Sequence, residues 1–81
     1  MTLGTDRVRL SFNPSGHLDV QDIKQRAADC IDWCDGKRTE MQALHQSKGG
    51  DEKITGERLR CLALAMTAFE EAAMWAVKAI T

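Results

Sequence analysis

Residues 60–81 read RCLALAMTAFEEAAMWAVKAIT, the most apolar stretch of a chain of 81 residues. Its apolar residues recur every three or four positions, which is typical of a helix that packs against another helix. This seam consists of Leu59, Leu62, Met66, Phe69, Ala73, Ala76 and Ile80. Other apolar residues widen the seam nearly all the way round, so that the helix must bury more than one face. The sequence therefore predicts a self-associating helical protein.

A second helix precedes this one and has a more broken pattern. Its seam consists of Val20, Ile23, Ala27, Cys30, Cys34, Met41 and Leu44. Asp19 is the predicted N-cap, because its carboxylate can accept the free amide protons of the first turn. The seam position between Cys34 and Met41 falls on Lys37, beside Gly36, and we expect the helix to kink or loosen there.

Ser47-Lys48-Gly49-Gly50-Asp51 is a helix stop followed by a turn, and Thr55 is the predicted cap of the last helix. Two helices of similar length joined by a short loop lie antiparallel. The sequence thus predicts an all-α fold, a single antiparallel two-helix hairpin domain over residues 1–81. Its expected parts are an arm and turn (1–18), helix one (19–46), a loop (47–53) and helix two (54–80).

The first residues are expected to be loose and to lead into an extended arm. Val8, Leu10 and Phe12 alternate with polar residues in the period of a strand. Asn13-Pro14-Ser15-Gly16 then has the signature of a type I turn, with Asn first, Pro second and Gly fourth. The arm is therefore expected to fold back just before His17.

Composition limits the kinds of function. A chain of 81 residues forms only a marginal core alone, and oligomerisation would supply the missing burial. A net charge of −1 argues against binding of a DNA or RNA polymer, although a few local cations can still hold a small anion. Glu70 and Glu71 interrupt the apolar stretch, so no membrane span is expected. The odd number of cysteines and the lack of a signal peptide predict reduced thiols in the cytosol.

Neither catalysis nor a metal or other cofactor is predicted. Cys30 and Cys34 lie one turn apart, but no further ligand stands at metal spacing. His17 and His45 have no neighbouring nucleophile motif. Trp33 is expected to anchor an interface or the core, and not to stack on bases. Trp75 is expected to do the same.

The arm has the composition of a nucleotide site, although the same composition also fits a staple on a helix end. Phe12 offers a flat apolar face, and Asn13 offers an amide that can read base edges. The cations nearby are Arg7, Arg9, Lys24 and Arg26.

Several segments resemble the phage anti-CBASS cyclic-nucleotide sponges and the hairpin domain of phage anti-Thoeris sponges. They are Phe12–Gly16, Ile23-Lys24, Ile31-Asp32 and residues 72–81, AAMWAVKAIT. The resemblance implies a homohexamer of helical hairpins in the cytoplasm of the infected bacterial host. It also implies sequestration of cyclic oligonucleotides without cleavage, which keeps CBASS effectors inactive. Symmetry suits these ligands, since a cyclic dinucleotide matches a two-fold axis and a cyclic trinucleotide a three-fold axis.

The resemblance implies two pockets. In the pocket for cyclic dinucleotides such as cyclic GMP-AMP, Phe12 stacks on a base and Lys24 meets a phosphate. Asn13 and Ser15 supply polar contacts from the turn, and Pro14 is the third turn residue of that pocket.

In the pocket implied for cyclic trinucleotides, Arg60 contacts a phosphate, with Thr67 and Asn13 nearby. Some relatives carry Tyr where this chain has Phe12, which leaves the preferred nucleotide open. Residues 36–53 match no part of the resemblance.

A different class of function also fits the pattern, a structural or regulatory hairpin oligomer that docks a protein partner. In that case Phe12 and Lys24 are replaceable. Met66, Phe69 and Trp75 are not. A hydrolase of cyclic nucleotides is disfavoured because the sequence shows no activated nucleophile and no metal cluster.

Overall fold

The computed structural model describes all residues from 1 to 81 and contains three helices and no strand. They are α1 (Leu3–Arg7), α2 (Leu18–Lys48) and α3 (Glu52–Ile80). The two long helices pack side by side, and only residues 49–51 join them, so they run antiparallel. The resulting hairpin measures 48 × 21 × 13 Å. The predicted all-α hairpin is therefore confirmed.

Helix α2 begins one residue before the predicted start, and its predicted cap is wrong. The N-cap is His17, whose Nδ1 accepts a hydrogen bond from the Asp19 amide at 3.1 Å. Asp19 thus lies inside the first turn, where its charge still favours the helix dipole. The helix is not interrupted at Gly36, since the cost of one exposed glycine, about 1 kcal/mol, is small for a helix of 31 residues.

Helix α3 also begins earlier than predicted. Its N-cap is Asp51, whose carboxylate accepts from the amides of Lys53 at 2.8 Å and Ile54 at 3.4 Å. Aspartate is at least as good an N-cap as threonine, so the helix begins at the first suitable residue. Thr55, the predicted cap, instead lies one turn inside, with its Oγ1 3.1 Å from His45 Nδ1.

The predicted loose start and extended arm are wrong, because residues 3–7 form α1 and residues 8–11 form turns. Thr2 caps α1 by accepting from the Thr5 amide at 3.1 Å, and the Thr2 amide donates to Thr5 Oγ1 at 2.9 Å. Backbone amides that follow α1 donate hydrogen bonds back to its carbonyls. The Leu10 amide, for example, donates to the Thr5 carbonyl at 3.0 Å. The chain has no strand to pair with, so local hydrogen bonds replace those of a sheet.

Helix α1 lies directly on α2. The Gly4 amide donates to Asp32 Oδ1 at 2.7 Å, and a Cβ at Gly4 would stand 2.1 Å from the Ala28 carbonyl oxygen. Only glycine therefore allows this approach. Together with α3, the three helices enclose a small core. It consists of Val8, Ala27, Ala28, Ile31, Cys34, Met66 and Ala73.

Much of the predicted seam of α3 stays outside this core. Met66 and Ala73 are buried, but Phe69 and Ile80 are exposed. Trp33 on α2 and Trp75 on α3 are 63% and 57% exposed. No helix combines the length and apolarity needed to cross a lipid bilayer.

Candidate functional site

A cleft of about 550 Å³ opens between the N-terminal segment and the second half of α3. This volume lies within the range of about 300–1,000 Å³ that is usual for small-molecule pockets. Arg7, Arg9 and Phe12 line it from the N-terminal side, and Lys24 lines it from α2. Across the cleft, α3 contributes its polar positions and an apolar strip. These residues are Thr67, Glu70, Glu71, Ala73, Met74 and Val77.

Phe12 is the aromatic centre of the cleft and is 53% exposed. The Arg9 guanidinium lies over its ring, 4.5 Å from the ring centroid. Lys24 Nζ lies 5.7 Å from the same centroid. The ring is therefore held in a cationic surrounding and still exposes apolar surface, which is the arrangement that binds a nucleobase by stacking.

Lys24 is buried, and its side chain is hydrogen-bonded to the backbone of the N-terminal segment. Its Nζ donates hydrogen bonds to the carbonyl oxygens of Arg9, at 3.0 Å, and Phe12. Burial lowers the pKa of Lys24, and the charge of Arg9 lowers this pKa further. Because the residue is only 8% exposed, it fastens the segment that carries Phe12 to α2.

Arg7 spans the cleft from the end of α1 to α3. Its Nη2 donates to Glu70 Oε2 at 2.8 Å and to Thr67 Oγ1 at 3.3 Å. Thr67 and Glu70 stand three positions apart on one helix face, so a single guanidinium reaches both. The pairing of Arg7 with Glu70 was missed in the sequence, because it depends on the position of α1.

The predicted turn after Phe12 is confirmed by a hydrogen bond from the Gly16 amide to the Asn13 carbonyl at 3.0 Å. The side chains of Asn13 and Ser15 serve this turn: Asn13 Nδ2 donates to the His17 carbonyl at 3.0 Å and Ser15 Oγ donates to Asn13 Oδ1 at 2.9 Å. Pro14 is exposed, and none of the three lines the cleft. The structure thus places them beside Phe12 as a preformed turn.

Arg60 lies away from the cleft, on an exposed face of α3. Its Nη2 and Nε donate to the two carboxylate oxygens of Glu57 at 2.6 and 3.1 Å. The hydrogen bonds from Arg60 lower the pKa of Glu57. Thr67 lies two turns further along the same face, about 10 Å away along the helix axis. The structure therefore joins Thr67 to the Phe12 cleft and leaves Arg60 outside it.

Comparison with known proteins gives one match. The sequence model of a protein family described as "Acb2/Tad1, hairpin domain" matches residues 4–81. The matched range covers nearly all of α1, both long helices and every residue of the cleft. Neither the curated proteins nor the solved structures contain a match.

Proposed function

This chain belongs to the Acb2/Tad1 hairpin family of anti-CBASS and anti-Thoeris sponge proteins, and we propose that it binds and sequesters cyclic oligonucleotide messengers. The ligands are cyclic dinucleotides such as cyclic GMP-AMP, and cyclic trinucleotides are a second class. The protein holds them without cleaving them, in the cytoplasm of a phage-infected bacterium. CBASS effectors then lack their activating signal.

The cleft around Phe12 is the observation that carries this proposal. A cyclic dinucleotide has flat bases and a ring with two phosphates. Phe12 offers an exposed aromatic face, and Arg7, Arg9 and Lys24 surround it with positive charge. Stacking and phosphate contact are the two interactions by which unpaired nucleotides are usually held. In this proposal the turn of Asn13, Pro14 and Ser15 holds Phe12 in place and borders the ligand.

We extend the proposal to a homohexamer. The exposed tryptophans, Trp33 and Trp75, together with Leu64 and Met74, give an apolar surface that a chain alone leaves in water. A two-fold axis beside the cleft would offer the same contacts to both halves of a cyclic dinucleotide. Met74 supports this geometry, because it lines the cleft and belongs to the exposed apolar surface.

The trinucleotide pocket is proposed around Arg60, with Thr67 and Asn13 nearby. Arg60 is exposed and has a planar guanidinium that suits a phosphate. A phosphate at this position has to compete with Glu57, whose side chain holds the guanidinium in the free chain. Both side chains are largely exposed, so this competition is inexpensive.

The experiment is calorimetric titration of the purified protein with cyclic GMP-AMP, followed by heat denaturation and chromatography of the released ligand. We expect nanomolar affinity, about −12 kcal/mol, one ligand for two chains, and intact ligand on release. Phe12→Ala should remove binding, whereas Leu18→Ala, which truncates an exposed apolar residue outside the cleft, should not. No heat with this ligand or with a cyclic trinucleotide would contradict the proposal.

A hairpin oligomer that docks a protein partner is the second candidate, and the same exposed tryptophans favour it. The two functions differ at the cleft. A partner-docking protein keeps its effect on the host when Phe12 becomes alanine and loses it when Trp75 does. A sponge loses its effect with the Phe12 substitution, and protection of infecting phage from CBASS is the assay that separates the two.

A further inference from the structure

Arg9 is the only residue other than glycine with a positive φ, at 54°. The other such residues are Gly16, Gly49 and Gly50. A side chain with a Cβ makes this left-handed conformation unfavourable. An arginine in this position therefore points to a use for its side chain, since strained backbone is often found at binding sites.

The Arg9 side chain lies in the cleft and stacks on Phe12, with the guanidinium 4.5 Å from the ring centroid. Its backbone is fixed at the same time, because its carbonyl accepts from the Phe12 amide at 2.8 Å and from Lys24 Nζ at 3.0 Å. Arg9 has no carboxylate partner, whereas Arg7, the other arginine of the cleft, is paired with Glu70 at 2.8 Å. Its donors are thus free to meet an anion.

Lys24 is less suited to that role in this structure. Two of its three ammonium protons are engaged by the carbonyls of Arg9 and Phe12, and the residue is almost completely buried. A phosphate that contacted Lys24 would have only the third ammonium proton to meet, on a residue that is 8% exposed. A phosphate that contacted Arg9 displaces only water.

We propose that Arg9 is a ligand-binding residue whose guanidinium, held over the ring of Phe12, contacts a phosphate of the cyclic dinucleotide. Lys24 is then a positioning residue that holds Arg9 and Phe12 in place through their carbonyls. This inference rests on the proposed function of the cleft. A guanidinium can meet a phosphate with two parallel hydrogen bonds, and its stacking on the ring reduces the rotational freedom lost on binding.

The test is titration of cyclic GMP-AMP into Arg9→Gly, Arg9→Ala and Arg9→Lys at several salt concentrations. Glycine adopts φ 54° without strain, so Arg9→Gly removes the guanidinium but not the turn. We expect Gly and Ala variants to bind about tenfold to a hundredfold more weakly and with a smaller salt dependence. The Lys variant keeps the positive charge but lacks the planar guanidinium, so its affinity should lie between those of these two variants and that of the wild type.

The matched control is Arg26→Ala, which also removes one positive charge. Arg26 pairs with Asp22 on the exposed surface of α2 and does not line the cleft. The affinity of the Arg26→Ala variant for cyclic GMP-AMP should stay within about twofold of the wild-type affinity.

Two outcomes would overturn the assignment of Arg9 and leave the sponge function intact. One is an Arg9→Gly variant that binds as tightly as the wild type. The other is weak binding by the Ala variant that the Gly variant restores, because the backbone and not the guanidinium would then be responsible. Failure of the wild-type protein itself to bind would overturn both proposals.

Discussion

Replacing Lys24 with methionine should loosen the N-terminal segment from the hairpin. Methionine keeps a long apolar stem in the buried position but removes the ammonium group. The carbonyls of Arg9 and Phe12 then lose their shared donor. The Arg9 carbonyl keeps the Phe12 amide as a partner, at 2.8 Å. The Phe12 carbonyl, in contrast, loses the hydrogen bond from Lys24 and needs another donor.

The magnitude follows from these contacts. A hydrogen bond from a charged donor contributes about 1.5–3 kcal/mol, so two of them set an upper bound of about 3–6 kcal/mol. Burial of the ammonium opposes this gain, as the lowered pKa of Lys24 indicates. We therefore expect the substitution to reduce the free energy of unfolding by about 2 kcal/mol. This is a large share of the total of about 4–12 kcal/mol expected for 81 residues.

The same substitution should change how stability depends on pH. The pKa of Lys24 is lower in the folded protein than its usual value, so between the two values the unfolded chain binds more protons. The contribution of Lys24 to stability should therefore rise with pH in the window that ends near the ordinary lysine pKa of about 10.4. The buried Cys34 thiol, whose pKa is raised, contributes with the opposite sign, so the Lys24 effect is read as the difference between the wild type and the methionine variant. Below that window both states bind the proton and the slope vanishes. The methionine variant should lack this rise.

Urea unfolding followed by far-ultraviolet circular dichroism measures both effects, at one fixed chain concentration because assembly shifts apparent stability. Lys53→Met is the matched control, an exposed lysine of α3 that should change stability by less than about 0.5 kcal/mol. If Lys24→Met unfolds like this control but no longer binds cyclic GMP-AMP, Lys24 is a direct phosphate ligand. The role assigned to it here, holding the backbone, would then be wrong.

Two further substitution pairs test the packing of α1 and the charge of the cleft. Gly4→Ala should lower stability by about 2–3 kcal/mol in the same urea assay, because its Cβ would meet a backbone carbonyl of α2. Gly36→Ala, in open space on α2, should raise stability by up to about 1 kcal/mol, and equal effects of the two would refute the docking of α1. Glu70→Gln should tighten cyclic GMP-AMP binding about twofold to fivefold in calorimetry, since it frees Arg7 from its carboxylate partner. Glu71→Gln, which removes a carboxylate that does not pair with Arg7, is the control, and a weaker-binding Glu70 variant would show that Glu70 itself contacts the ligand.

The hairpin was predictable because its signal is local and repeated. The helical period of the apolar residues in α3 and the glycines after Lys48 indicate two helices and a turn without any tertiary information. Helix α1 was missed for the opposite reason. It has five residues, and its position depends on the contact of Gly4 with α2 and on the hydrogen bond to Asp32. The alternation of Val8 and Leu10 then suggested a strand, although the chain offers no partner strand.

Only part of the predicted set of site residues lines the cleft, and the hydrogen bonds of these residues were not predictable from the sequence. Phe12 and Lys24 lie far before the loop at residues 49–51, and both meet Thr67 of α3 in one cleft. What the sequence does not contain is the turn at Arg9, which brings two carbonyls onto the Lys24 ammonium. Because of this turn, the Lys24 ammonium is occupied by backbone carbonyls, and the guanidinium of Arg9 is the unpaired cation of the cleft. The contact of this turn with α2, and not the residue types, accounts for the difference.

The exposed seam of α3 relates the fold to the proposed mechanism. Within one chain this helix buries little more than Met66 and Ala73, so much of its apolar surface stays exposed to solvent. Met74 belongs both to that surface and to the cleft. A second chain packed on α3 would therefore stand at the rim of the cleft, and a ligand held there would touch both chains. Binding and assembly would then stabilise each other by mass action. For the sequestration proposed above, such coupling would raise the affinity for the ligand.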